Sequence, residues 1–175
     1  IRRKVPRKGH CRFESGPGCK IILNTKIIMS KSKKVIVTDG KITDTVKDIQ
    51  ELMARGYINA DFEDLKDVID DCMKVAVTTA TTDGATRIAD AFKEISTSPV
   101  WKSFEMTSAD KMLIKIFCAK ESRRPFHAEE INDIVAFTSK LATTVDVKWS
   151  IIDDPSLEDS VRIIVCAGKN GVTSG

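Results

Sequence analysis

Two aspartates and an asparagine are grouped around one phenylalanine in the first half of the chain. The stretch RGYINADFEDLKD, residues 55–67 and hereafter the acidic stretch, holds Asn59, Asp61 and Asp64 within six residues. Carboxylates in such a group can orient a water molecule or hold a cation beside a phosphate, which is most of what phosphoryl transfer requires of a protein. On a helix, Asp61 and Asp64 would share a face because they are three residues apart. The pattern is therefore compatible with part of a nucleotide-hydrolysis site.

The same residues could instead begin a helix. Asn59 is a favoured N-cap residue, and the helix dipole stabilises acids such as Asp61 and Asp64 in the first turn. The four polar residues, with Glu63 included, exceed what one cap requires, and their mutual repulsion costs stability. The residues alone leave both interpretations open.

Hydrophobic periodicity predicts the elements around this stretch. A helix from Lys41 should end near Gly56, and a second helix should follow the acidic stretch as far as Cys72. A third helix, ended by Pro99, is expected to bury Ala85, Ile88, Ala89, Phe92 and Ile95. A fourth, opened by Pro125 and His127, is expected to bury Ile131, Ile134, Val135, Thr138 and Leu141.

Apolar, β-branched runs predict strands at residues 73–81, 111–119, 147–153 and 161–167, and a less regular one at 34–37. In residues 111–119, apolar residues also occupy most of the positions where polar residues would alternate in a half-exposed strand. This pattern is typical of a strand buried on both faces. The short polar connection between the last two strands predicts an antiparallel hairpin. The order of elements indicates an α/β (α+β) fold with a mixed four-stranded sheet packed with helices.

The composition narrows the class of protein. Residues 1–38 carry 11 Lys and Arg against one acid, whereas the rest carries 17 against 24. A basic segment can bind nucleic acid, but Phe13 is its only aromatic residue, so base stacking is not expected and a nucleic-acid partner is disfavoured.

No apolar run is long enough to span a membrane. The five cysteines form no C-x-x-C pair, which favours buried reduced thiols in a cytoplasmic protein without a metal site.

Three segments of the chain resemble the tubulin/FtsZ family, specifically the C-terminal domain of FtsZ, the bacterial tubulin homologue. GYINADFEDLKDVID is similar to the family segment G-L-x-N-x-D-F-A-D-V-x-x-V-M, the synergy loop that ends the long central helix. DGATRIADAFKEISTSPV and EDSVRIIVCAGKNG resemble two downstream segments, with Gly84, Arg87, Ala91 and Pro99 in place. The resemblance covers about residues 43–168.

The resemblance implies a mechanism and its partners. In this family GTP is bound by the N-terminal domain of one subunit, and the neighbour's synergy loop completes the hydrolytic site. Asp61 and Asp64 would orient the attacking water, and Asn59 would lie at the edge of the nucleotide. A GTP-binding FtsZ-like subunit or domain would be the partner in a homo- or heteropolymer, and Mg²⁺ would be the accompanying cation.

Departures from the family limit the expected activity. The sequence contains no G-G-G-T-G-T/S-G phosphate loop, so the isolated chain is expected neither to bind nor to hydrolyse GTP. Glu63 replaces the usual Ala. The alternative function is a non-catalytic FtsZ-like binding or regulatory module that caps or scaffolds filaments.

The expected organisation follows from these observations. Residues 1–40 form a basic segment, 41–57 the end of the central helix, 58–72 the synergy loop with the following helix, 73–168 the FtsZ C-terminal-like domain, and 169–175 a tail. Because MSKSKKVIVTDG from Met29 is typical of a native beginning, we expect residues 1–28 to be foreign to the native protein.

Overall fold

The structure is a computed structural model that describes the backbone of residues 35–38, the single residues Glu51, Val68 and Cys72, and residues 74–170. In these parts the strands are β1 (Val35–Thr38), β2 (Lys74–Thr82), β3 (Lys111–Cys118), β4 (Asp146–Asp153) and β5 (Val161–Lys169). The helices are α1 (Arg87–Thr97), α2 (Pro99–Phe104) and α3 (Ile131–Thr138). The predicted segments 1–34 and 41–50, the acidic stretch and 171–175 lie outside the described residues.

The strands form one mixed sheet in the order β1-β2-β5-β3-β4. β5 is antiparallel to both β2 and β3, whereas β4 is parallel to β3 and β1 is parallel to β2. The predicted mixed four-stranded sheet is confirmed by β2 to β5. β1, which matches the strand expected at residues 34–37, extends this sheet by one short strand.

The predicted antiparallel hairpin between the last two strands is wrong. β5 lies between β2 and β3, and β4 is on the far side of β3. β5 is buried over most of its length, so a central position removes more apolar surface from water than an edge position would. β4 carries the exposed residues Asp146, Lys148 and Asp153, which suit an edge strand. The short connection therefore crosses the end of β3 instead of turning back beside β4.

Each face of the sheet carries its own apolar cluster. The side chains of β3 divide between them: Met112, Ile114 and Ile116 face α1 and α3, whereas Leu113 and Phe117 face the opposite side. The prediction that this strand is buried on both faces is confirmed. The second cluster includes two residues that precede β2 in sequence, Val68 and Cys72, packed against side chains of β2, β3, β4 and β5.

α1 and α3 pack on the face of the sheet that carries Met112, Ile114 and Ile116. Each helix buries fewer of its apolar residues than the sequence indicates. α1 buries Ile88, Phe92 and Ile95 as predicted, but Ala85 and Ala89 are exposed. In α3, Ile134 is buried but Ile131 is 36% and Val135 57% exposed. The eight-residue helix instead buries Phe137, whose ring stacks on Phe92 with the centroids 4.1 Å apart.

Pro99 ends a helix as predicted and also begins the next one. Pro99 ends α1 and also begins α2, where the Ser98 hydroxyl accepts a hydrogen bond from the Trp101 amide at 3.1 Å. Trp101 and Trp149 are partly buried against the first cluster. Cys72, Cys118 and Cys166 are buried and none of the three is in a disulfide, so the predicted burial of the thiols is confirmed for the described residues. No helix of the described residues is long and apolar enough to cross a membrane.

Candidate functional site

The predicted catalytic residues Asn59, Asp61 and Asp64 lie outside the described residues, so their placement stays a prediction. The described residues nearest to the acidic stretch are Glu51 before it and Val68 and Cys72 after it. Glu51 and Val68 both have helical backbone. The geometry of the candidate site can therefore be built from its two flanks.

The first flank is an ion pair between Glu51 and β5. Nη1 of Arg162 lies 2.8 Å from the Glu51 carboxylate, and the two side chains are 16% and 22% exposed. Nη2 of Arg162 also contacts Asp154 at 3.4 Å. The guanidinium lies over the ring of Phe117, 4.8 Å from its centroid, which is a cation–π distance. A single arginine thus joins the segment before the acidic stretch to β3 and to the β4–β5 connection.

The second flank is a close approach of Val68 and Cys72 to the other end of β5. A Cβ at Gly168 would overlap Sγ of Cys72, and would lie 2.8 Å from the Cys72 Cβ and 3.1 Å from the Val68 carbonyl oxygen. Val68 is 4% and Cys72 1% exposed, so neither can easily withdraw. Glycine is therefore the residue that permits this contact.

Both flanks of the acidic stretch contact the same strand. Arg162 and Gly168 are six residues apart in β5, which corresponds to about 20 Å along the strand. The segment around Arg162 and Gly168 resembles the family, but the sequence did not indicate that Arg162 pairs with Glu51 or that Gly168 contacts Val68 and Cys72. An arginine inside an otherwise apolar strand was the available signal.

A second polar cluster lies where β2, β3 and β4 end. The side chain of Arg87 is only 2% exposed and pairs with Glu130, with Nε 2.8 Å from Oε1 and Nη2 3.1 Å from Oε2. Nη1 donates to the Asp159 carbonyl at 3.0 Å, and Nη2 donates to the Pro125 carbonyl at 3.2 Å. Arg87 therefore joins α1 to the two loops at this end of the sheet, and each of its three side-chain nitrogen atoms donates to a protein group.

The charges of this pair stabilise each other. Burial raises the pKa of the Glu130 carboxyl, but hydrogen bonds from Arg87 and from the His127 backbone outweigh burial, so the pKa lies below its ordinary value. The hydrogen bond to Glu130 raises the pKa of Arg87 despite desolvation. The buried pair is thus fully ionised at neutral pH.

His127 is part of the helix entry, as the sequence predicts. Its amide donates to Oε2 of Glu130 at 2.8 Å, and Glu129 and Glu130 occupy the first turn.

Two open cavities lie near His127. The larger, about 590 Å³, is lined by Glu121, Ser122, Arg123, Pro155, Glu158 and Asp159, and the smaller, about 310 Å³, includes Arg124 and His127. Among the described residues, no group of three or more His, Cys, Asp or Glu could hold a metal ion.

Comparison with known proteins places the chain beside FtsZ. No family model matches it. It is 29% identical over 130 residues to the cell division protein FtsZ of Porphyromonas gingivalis, a match that covers 74% of this chain and 28% of that protein. An FtsZ dimer of M. jannaschii superimposes with a TM-score of 0.59 at 24% identity, covering 75% of this chain and 37% of that one.

A more distant structure has the same fold. TubZ of Bacillus thuringiensis serovar israelensis, solved as GDP-form protofilaments, gives a TM-score of 0.51 at 12% identity and covers 71% of this chain. The chain spans less than half of the length of each of these proteins. In sequence and in fold, the chain is similar to part of FtsZ, which is consistent with the C-terminal domain that the sequence motifs indicate.

Proposed function

We propose that this chain is a subunit-contact module of a cytoskeletal filament, whose acidic stretch completes GTP hydrolysis on a neighbouring subunit. The observation that carries the proposal is that Glu51, before the stretch, and Val68 and Cys72, after it, are held on one strand of an FtsZ-like domain. A carboxylate contributes to phosphoryl transfer by position and charge, so a stretch anchored on both sides suits that task.

The roles of the individual residues follow from their chemistry. Asp61 and Asp64 orient the attacking water beside the γ-phosphate, and Asn59 contacts the edge of the nucleotide. The GTP would be held by a partner subunit or by a domain outside this sequence, since residues 1–175 contain no glycine-rich phosphate loop. Mg²⁺ would enter with the nucleotide, and the described residues include no metal-ligating group of their own.

The partner is a GTP-binding FtsZ-like subunit in a polymer. M. jannaschii FtsZ has been solved as a dimer and B. thuringiensis TubZ as protofilaments, and both share the fold of this chain. Because neither subunit would hold a whole site, hydrolysis would depend on assembly. The cell-division role of FtsZ relatives and a cytoplasmic location belong to the same proposal.

Mixing the purified chain with a GTP-binding FtsZ subunit tests the catalytic role. The partner carries alanine in place of its own loop carboxylates, so that phosphate release depends on the added chain. We expect stimulation by the wild-type chain and a loss of at least about a hundredfold in Asp61→Ala and Asp64→Ala, the low end of what a catalytic acid or base contributes. Glu129→Ala, an exposed acid outside the stretch, is the matched control and should stimulate normally.

A non-catalytic module is the alternative. The extra charge of Glu63, where the family has Ala, and the absence of a phosphate loop favour it. In that case the chain would bind the partner and alter filament length, while Asp61→Ala and Asp64→Ala would leave phosphate release unchanged. Sedimentation of the filaments in parallel with the phosphate assay separates the two functions.

A further inference from the structure

We propose that the outer edge of β4, together with the flank of α3 beside it, is a dimerisation surface for a second copy of this chain. β4 is the last strand of the sheet, and among the described residues no strand pairs with its outer edge. This surface, hereafter the edge surface, consists of that edge with Ile131, Val135, Val147 and Trp149. It includes no residue of the acidic stretch, so the inference goes beyond the proposed function and does not depend on it.

The backbone of β4 has one row of hydrogen-bonding groups that β3 does not use. Near the two ends of the strand, the amides of Asp146 and Asp154 donate to carbonyls on the β3 side, at 3.0 Å each. Alternate residues of a strand direct their N–H and C=O groups to opposite sides, so the even-numbered residues pair with β3. The groups that point to the open side, a template for another strand, belong to Val147, Trp149, Ile151 and Asp153.

The helix beside this edge presents its exposed apolar residues on the same side. α1 packs on β2 and β5, and α3 lines the groove towards α1 with Asp133, Ala136, Phe137 and Lys140. At about 3.6 residues per turn, Ile131 and Val135 lie on the opposite flank of α3, towards β4. They are 36% and 57% exposed and are the exposed large hydrophobic residues of the described part of the chain.

α3 lies beside the last half of β4. The helix begins after Glu130, at the end of the sheet where β3 and β4 end, and it runs back along them because these two strands are parallel. Its eight residues are about 12 Å long, which matches about four residues of a strand. Val135, in the middle of the helix, is therefore beside Ile151.

A second copy in the antiparallel orientation covers both the strand edge and the helix flank. With a two-fold axis at Ile151, Trp149 of each copy pairs with Asp153 of the other, and Ile151 pairs with its own counterpart. These pairs form about six hydrogen bonds, two for each pair. The two α3 helices then lie on one face about two strand spacings apart, or about 10 Å, which is the distance at which helices pack. Ile131 and Val135 of the two copies would thus bury each other.

The charges of the strand fit this orientation. The same axis places Lys148 of each copy opposite Asp154 of the other. Lys148 is exposed, and Asp154 keeps extended backbone beyond the end of β4, with φ −132° and ψ 93°. Opposite charges directly across two antiparallel strands stabilise the pairing, whereas like charges destabilise it. Because the contact is the same on both copies, it closes after two chains.

Sedimentation velocity of the full 175-residue chain over a range of concentrations tests the proposal. The contact is small, so we expect a reversible equilibrium of monomer and dimer. Val135→Glu places like charges against each other across the axis and should raise the dissociation constant at least about tenfold. Ala89→Glu is the matched control, because it makes the same change of charge at an exposed apolar residue on α1. It should dimerise like the wild-type chain.

A second pair of variants tests the strand edge. Asp153→Pro removes an N–H that points away from β3, so it should raise the dissociation constant at least about tenfold while β3 and β4 stay paired. Asp153→Ala keeps this N–H but loses the same carboxylate, which accepts a hydrogen bond from the Lys120 amide at 2.9 Å, and should dimerise like the wild-type chain. Circular dichroism shows whether each variant is folded, and Val135→Glu decides the outcome if the proline variant is not.

Three results would overturn the proposal. The first is a wild-type chain that stays monomeric at every concentration. The second is a dimer whose dissociation constant is unchanged in Val135→Glu or in folded Asp153→Pro. The third is equal weakening by Val135→Glu and Ala89→Glu, which would place the contact elsewhere on the chain.

Discussion

The guanidinium of Arg87 and the carboxylate of Glu130 form a two-point ion pair that joins the first residue of α1 to the residue just before α3, with N–O distances of 2.8 and 3.1 Å. The same guanidinium also donates from Nη1 to the Asp159 carbonyl at 3.0 Å and from Nη2 to the Pro125 carbonyl at 3.2 Å. One buried cation thus fixes both helices and both loops at this end of the sheet.

Removing the acid should be costly, because it leaves the buried charge of Arg87 without its counter-ion. Loss of one partner of a buried pair costs about 3–5 kcal/mol, and Glu130 is slightly exposed, so we expect Glu130→Ala to lower the free energy of unfolding by about 2–4 kcal/mol. Urea titration followed by circular dichroism measures the change. Glu129→Ala, one residue away and exposed, is the control and should stay within about 0.5 kcal/mol of wild type. Equal stability of the two variants would contradict the assignment.

The same pair predicts how stability depends on acid. The folded pKa of Glu130 lies below its ordinary value of 4.5, so its contribution is fully present above about that pH and is lost as the pH falls through the lowered pKa. The difference in unfolding free energy between the wild-type chain and Glu130→Gln should therefore be constant from pH 7 to about pH 5 and shrink below about pH 4.5. Urea titrations across this range measure it. A difference that grows on acidification would have the wrong sign for this pair.

The strands β2 to β5 and the helices α1 and α3 could be predicted from the sequence because each has its own period of apolar residues. Strand order could not, because a seven-residue connection such as 154–160 can close a hairpin or cross a neighbouring strand at similar cost. The burial of β5 on both faces decided between them, and burial is a property of the whole sheet. In α3 the predicted stripe was too wide, since Val135 finds no cover on an eight-residue helix.

The polar contacts were less predictable still. Arg87 is 43 residues from Glu130 and 72 from Asp159 in sequence, so nothing local relates them. Arg87 lies in a segment that resembles the family. From the local sequence, however, an arginine at the start of a helix is expected to be solvated, whereas the structure buries it. The acidic stretch was the reverse case, since residue types alone suggested its chemistry while its placement stays a prediction.

The close approach at Gly168 predicts a specific steric cost. Gly168→Ala adds a methyl group that overlaps Sγ of Cys72, so the chain before β2 must move away from β5. Overpacking of this kind costs about 1–3 kcal/mol in unfolding free energy, measurable by urea titration. Cys72→Ala in the same chain should recover part of the loss, because it removes the sulfur but leaves its Cβ 2.8 Å away. Strictly additive effects of the two substitutions would contradict the contact.

The thiol of Cys166 should be inert in the folded protein. Burial raises its pKa to about 12, with a further contribution from the neighbouring Cys72, whereas an exposed thiol titrates near 8.5. Since the thiolate is the nucleophile, alkylation by iodoacetamide at pH 8 should be roughly a thousandfold slower than for an exposed cysteine. Peptide mass spectrometry after timed labelling measures this rate, with the same protein in concentrated guanidinium chloride as the control. Rapid labelling of native Cys166 would mean that β5 is accessible from the face that Val68 and Cys72 cover, and the second flank of the acidic stretch would then not be fixed.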